Sequence, residues 1–170
     1  MRAAIRTLLF AIAAIVLVPI VAALAAGPPS QTALEVDDLA RYRLTASVFM
    51  PFEAASRSIA TATRADPAFV RDPLFTREIL LSDDAAAAAA ALETRLQAHP
   101  ALVVALRAAK LSAREYTRFA LALFAARLAH GFVKTGVIRR VPDGAAAANV
   151  AFVQAHEAQI ASLLADLGID

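Results

Sequence analysis

The sequence predicts an all-α protein, an antiparallel helical bundle behind an N-terminal targeting segment. Three observations carry that expectation. Apolar residues recur at spacings of three and four, and few segments alternate with the period of two that a strand needs. Alanine, the strongest helix former, runs unbroken from Ala85 to Ala91. Ser112-Ala113-Arg114-Glu115 places a hydroxyl and a carboxylate at the spacing of a capping box, which opens a helix.

Taken in order, the chain begins with Arg2 and Arg6, an apolar run from Leu8 to Val18, the helix-breaking Pro19 and then Ala23-Leu24-Ala25. A positive start, a short apolar centre and small residues just before a cut are the features of a secretory signal peptide, with cleavage after Ala25. The competing expectation is an uncleaved anchor: Thr7 to Ala26 is a stretch of 20 residues without charge, long enough to cross a hydrocarbon layer of about 30 Å. Pro19 and the small residues favour cleavage. Either way the remainder is expected outside the cytoplasm, periplasmic or secreted, and next to a membrane only if the segment stays attached. The division expected is a signal peptide over 1–25, a linker over 26–33 carrying Gly27-Pro28-Pro29, and one helical domain over 34–170.

Charge changes meaning once that segment is set aside. The chain holds 17 Lys and Arg against 15 Asp and Glu; without Arg2 and Arg6 the two totals are equal. A neutral domain offers no electrostatic footprint for nucleic acid or an anionic bilayer, and the loop pair Arg139-Arg140 is too small for a polyanion site. There is no cysteine, so neither a disulfide framework nor a cysteine-linked lipid anchor is available and stability must come from packing.

The first helix is expected from about Leu34 to Thr63, with Asp37 and Asp38 near its positive end. Leu39, Tyr42, Ala46 and Phe49 recur on one side, and Pro51 should kink it. Asp66-Pro67 and Asp72-Pro73 each read as a capping acid followed by a proline at a first helical position. Ser82-Asp83-Asp84 caps a helix to about Ala98, and His99-Pro100 begins a short one ending near Lys110. From Ser112 a long helix runs through Phe119, Leu123, Ala126, His130 and Val133 to near Gly136, with Leu111 placed to staple onto Tyr116. Pro142-Asp143-Gly144 introduces a last helix to Leu167, closed by Gly168. The expectation is three long helices with two or three short ones. The many alanines let their axes approach closely.

Candidate chemistry is sparse, and no catalytic residues are expected: nothing resembles a Ser/His/Asp set, a glycine-rich phosphate loop or a carboxylate pair, so the reading is that of a protein that is not an enzyme. His130 lies on the stripe of the capped helix and His156 beside the stripe Val150, Val153, Glu157, Ile160 of the last one. If those helices are neighbours, His130, His156 and Glu157 form a candidate transition-metal site, though without motif spacing. Met50 with His156 resembles the Met/His axial pair that exported four-helix b-type cytochromes place on their first and last helices, which would make these two haem ligands. Arg127 and Glu157 both fall close to apolar stripes, and if they pair across helices they fix register and do no catalysis. The preferred expectation is no cofactor, and a non-catalytic binding or structural module with a protein or lipid partner. The Phe49-Met50-Pro51-Phe52 bend is the place where aromatics would be exposed to it, the preferred reading being that these residues simply cap the core.

Arg64-Ala65-Asp66-Pro67-Ala68, His99-Pro100-Ala101-Leu102, the segment Leu111 to Tyr116 and the segment Asn149 to His156 together resemble a group of exported bacterial helical proteins with no assigned activity. Those motifs are helix starts and core positions, so the resemblance implies a shared fold and carries over no functional residue. Leu111-Ser112-x-x-Glu115 is also similar to the Leu-Thr-x-x-Gln start of small periplasmic stress-response chaperones, with two of the three positions changed.

Overall fold

The computed structural model describes residues 40–169, and within them the chain is all helix, with no strand. The expected signal peptide, its cleavage point, the linker and the start at Leu34 lie outside the described residues. Eight helical segments follow in order: α1 (Ala46–Ala65), α2 (Ala68–Arg71), α3 (Arg77–Leu80), α4 (Ala85–Ala98), α5 (Pro100–Ala108), α6 (Ala113–Lys134), α7 (Ala145–Ala155) and α8 (Glu157–Leu167). No helix among the described residues is long and apolar enough to cross a membrane.

Local chemistry sets most helix ends. Asp84 accepts a hydrogen bond from the Ala87 amide (2.9 Å) to open α4, and Pro100 occupies the first position of α5, where its missing N–H is no loss. The Ser112 hydroxyl accepts from the Glu115 amide (3.1 Å) while the Glu115 carboxylate accepts from the Ser112 amide (2.9 Å), so the capping box at α6 forms as the spacing predicts. Those hydrogen bonds hold the Glu115 carboxyl below the usual carboxylate range.

Three helices end in the same left-handed turn. After α6 the Val137 amide reaches back to the Phe132 carbonyl (2.9 Å), and after α8 the Ile169 amide reaches Leu164 (2.9 Å), through Gly136 and Gly168 at positive φ. After α5 the turn is identical, Leu111 to Leu106 at 3.0 Å, but the left-handed position is Lys110 at φ 58°. A side chain is strained there. Lys110→Gly is therefore expected to stabilise the fold by about 1 kcal/mol, read from denaturant unfolding; an unchanged midpoint would show that Lys110 is not strained.

The two central helices, α1 and α6, run antiparallel. Going along α1, Phe49 lies beside Phe119, Phe52 beside both Phe119 and Tyr116, and the Ser56 hydroxyl beside the Tyr116 hydroxyl (3.0 Å). The pair α7–α8 follows α1 in the same sense, from Phe49 against Phe152 to the ion pair of Arg57 with Asp166. Helix α4 also packs on α6, and α5 on α1. Buried alanines at 55, 60, 88, 105, 120, 122 and 126 line these contacts, which is how close helix approach is achieved.

Four expectations are corrected. Helix one does not run unbroken from Leu34: Ala40 and Arg41 are helical, residues 42–45 are extended, and α1 starts only at Ala46. The cause is distant in sequence, since Asn149 takes up the backbone groups of that segment, as described below. Asp72-Pro73 opens no helix. Asp72 instead pairs with Arg95 of α4 (2.6 Å), which also donates to the Pro73 carbonyl (2.6 Å), and α3 is capped by Thr76. The last helix is broken at His156, so Glu157 becomes the first residue of α8, an acid at a helix start, and leaves the apolar stripe. Helix α1 continues through Pro51, and Phe49 and Phe52 beside it are each only 2% exposed. The bend offers no open aromatic surface. The carbonyl that Pro51 cannot hydrogen-bond belongs to the solvent-exposed Ser47, so water can satisfy it.

Among the described residues one buried side-chain group is unsatisfied. The Thr117 hydroxyl on α6 is fully buried without a hydrogen-bond partner. Leaving a hydroxyl in that state costs stability, so Thr117→Val, which keeps the shape, is expected to gain about 1 kcal/mol in chemical denaturation. A loss of that size would mean the hydroxyl has a partner in solution.

Candidate functional site

An aromatic cluster closes one part of the bundle, and most chemically distinctive residues meet there. Phe119 of α6 is its centre: Phe52 tilts against it at 4.5 Å between centroids, Phe49 stacks at 6.0 Å, and Tyr42 and Phe152 meet it edge-on at 6.4 and 6.3 Å. Edge-on and offset contacts are the arrangements aromatic quadrupoles favour. Tyr116, a turn away, stacks on Phe52 at 4.8 Å. Burial pushes the Tyr116 hydroxyl above its ordinary range, and the Ser56 hydrogen bond only partly offsets it.

That shift has a sign. A phenol whose folded pKa is raised contributes stability that is complete below its ordinary value near 10 and fades as the pH rises past it. The fold is therefore expected to weaken above about pH 10, and Tyr116→Phe to flatten that alkaline limb of the stability–pH curve. An identical limb in the variant would assign it to another group.

Beside the cluster sits a polar clamp. Asn149 of α7 accepts a hydrogen bond from the Leu44 amide at Oδ1 (2.8 Å) and donates from Nδ2 to the Tyr42 carbonyl (2.9 Å). One carboxamide thus pairs with the N–H and C=O of an extended segment as a neighbouring strand would. Leu44 is buried beneath it and Tyr42 lies over Phe119. The clamp settles where the chain that precedes the bundle attaches to it. Nothing in the spacing of Asn149 indicates this role, because its partners are over a hundred residues away.

The sequence-derived ligands fall as follows. His156 ends α7, with its ring on Phe152 (4.5 Å) and Phe49 (5.3 Å) and Nδ1 at 2.9 Å from Gln159 Oε1. Met50 is 73% exposed on α1. Neither lines the narrow crevice of about 20 Å³ among Phe52, Phe75, Leu123, Phe124 and Ile169, which has room for about one water and not for a porphyrin. His130 is half-buried on α6, which packs along α7. The Glu157 carboxylate, expected to face Arg127 or a metal, is instead exposed and paired with Lys134 at 3.3 Å. The break at His156 turns it toward that cation. Among the described residues no three His, Cys, Asp or Glu side chains are grouped as a metal would need. The third histidine, His99, packs on Phe69 at 4.4 Å.

A second surface was not singled out by motif reasoning, although composition could have found it. Between Glu115 and Asp143 the chain carries Arg118, Arg127, Lys134, Arg139 and Arg140 and no acid at all. Overall neutrality conceals this uneven distribution. The end of α6 and the turn after it also hold Phe132, Val133, Val137, Ile138 and Val141, none of them buried and none part of the main core.

No protein-family model matches the chain, and no curated protein or solved structure is significantly similar to it. The fold and these two sites therefore define it directly, as an all-helical domain with a clamped lead-in segment and one apolar, basic helix end.

Proposed function

We propose that this chain is an exported, non-catalytic helical module that acts outside the cytoplasm by binding a partner at its surface. The observation that carries the reading is the state of the interior. Rings from α1, α6 and α7 fill the middle of the bundle, and the crevice at its side admits little more than a water. Recognition then falls to exposed groups. The N-terminal Arg2, Arg6, apolar run and Ala23-Leu24-Ala25 support export.

The test is expression with the native N-terminus in a bacterial host, followed by fractionation, N-terminal sequencing and metal analysis. A protein beginning at Ala26 in the periplasmic fraction, colourless and free of stoichiometric metal, is the expected result. Cytosolic protein with Arg2 still in place would overturn the export reading. A violet haem absorption band, or one metal per chain bound through His130 or His156, would overturn the binding-module reading.

A further inference from the structure

We propose that the end of α6 and the turn after it, residues 132–141, form a tip that inserts into the surface of an anionic lipid bilayer. This rests on the reading of an exported surface-binding module and names its partner.

The first observation is apolar side chains where a helix end is ordinarily polar. Phe132, Val133, Val137, Ile138 and Val141 lie within ten residues and none is buried. The left-handed Gly136 turn bonds the Val137 and Ile138 amides to the Phe132 carbonyl (2.9 and 3.3 Å), which sets these side chains together at the helix end. In such a turn the residue after the glycine usually covers the helix end. Here Val137 is still 42% exposed. Among the described residues nothing buries the remaining apolar surface.

The second observation is charge. Lys134, Arg139 and Arg140 are exposed among those apolar residues, and Arg127 and half-buried His130 lie one to two turns back along α6. The acids that face them are Glu157, at 3.3 Å from Lys134, and Asp143, at 3.9 Å from Arg140. Both pairs are open to water on both sides, where such pairs hold little. Among the described residues Arg139 has no ion-pair partner.

Together these set one exposed and four half-buried apolar side chains beside three exposed cations at one helix end. Apolar side chains at the extremity would sit about 5–10 Å into the headgroup boundary, with the cations at the depth of lipid phosphates. An acidic protein would satisfy the arginines but leave five aliphatic and aromatic side chains to be matched separately. A bilayer of anionic lipid satisfies both layers at once. The tip lies about 22 Å along α6 from Phe119, so insertion leaves the aromatic cluster undisturbed.

The absence of cysteine allows a local test on the full chain. Val137→Cys carries a polarity-sensitive dye at the tip, and Val104→Cys, 64% exposed on α5, carries the same dye as a control. Vesicles of phosphatidylcholine alone are compared with vesicles containing phosphatidylglycerol. The N-terminal apolar run can bring either protein to any vesicle, but only tip insertion depends on lipid charge at position 137. The expected result is a blue shift at 137 with phosphatidylglycerol, absent at 104. Arg139→Gln with Arg140→Gln should weaken vesicle binding about twenty-five-fold, from about fivefold per cation.

A dye at 137 that stays in water, or shifts equally with neutral vesicles or at 104, overturns the proposal. So does a shift without lipid that grows with protein concentration, which would assign the tip to a second copy, or one produced by polyglutamate and not by vesicles. Because this measurement is made in vitro, a failed tip on a protein that is exported rejects the tip alone. A working tip on a cytosolic protein rejects export alone.

Discussion

Replacing Phe119 with alanine is expected to remove about 4 kcal/mol of stability, the largest loss from any single core truncation here. The ring is fully buried and packs against Phe49, Phe52, Tyr42 and Phe152, which come from α1, the lead-in segment and α7. Truncation leaves a void walled by stiff rings that collapse poorly, so the cavity adds to the lost transfer energy. The midpoint of thermal unfolding, followed by circular dichroism, should fall on the order of 12 °C. Phe119→Leu, which keeps most of the volume, should lose about a third as much. If alanine costs under about 1 kcal/mol, Phe119 is not the centre of the core.

Asn149→Ala is expected to cost about 3 kcal/mol and to act at a place that thermal unfolding alone would not reveal. The substitution strips the Leu44 amide and the Tyr42 carbonyl of the Asn149 hydrogen bonds, and Leu44 is buried. A buried amide without an acceptor is costlier than a hydrogen bond is favourable. Residues 42–45 should therefore detach before the bundle unfolds. Arg41 and Arg43 flank the clamped Tyr42, so trypsin provides the readout. Cleavage after Arg43 should become fast in the variant under conditions where the remaining helices stay intact. Equal cleavage rates in both proteins would show that Asn149 does not hold the segment.

These two cases mark the boundary between what neighbouring residues decide and what they do not. Asp84, the Ser112–Glu115 box, Pro100 at the start of α5 and the glycines after α6 and α8 all act on groups within six residues, and each does what its spacing predicts. The break at residues 42–45 was not legible there, because an isolated helix would continue through Tyr42 and Arg43. In the fold a carboxamide on α7 takes the Leu44 amide and the Tyr42 carbonyl in place of helical hydrogen bonds. Phe49 and Phe52 looked available for a partner on the strength of Pro51 between them. Their burial depends on α6 and α7 arriving on that side. Met50, one residue along, faces water for the same reason.

Charge followed the opposite course. The acid-free stretch from residue 116 to 142 is plain in the sequence, but a total near zero obscured it. Only the structure places Phe132, Val137 and Ile138 among those cations, with Val137 exposed and the other two half-buried.

The sequence by itself determined that the described chain is helical and where most helices begin and end, since these depend on short-range hydrogen bonds and on the side-chain period. The tertiary structure alone decided which aromatic rings are core, where two helices are interrupted, and which end of α6 is left uncovered. Those outcomes turn on contacts between residues far apart in the chain, and no local pattern encodes which distant side chain will fill a given space.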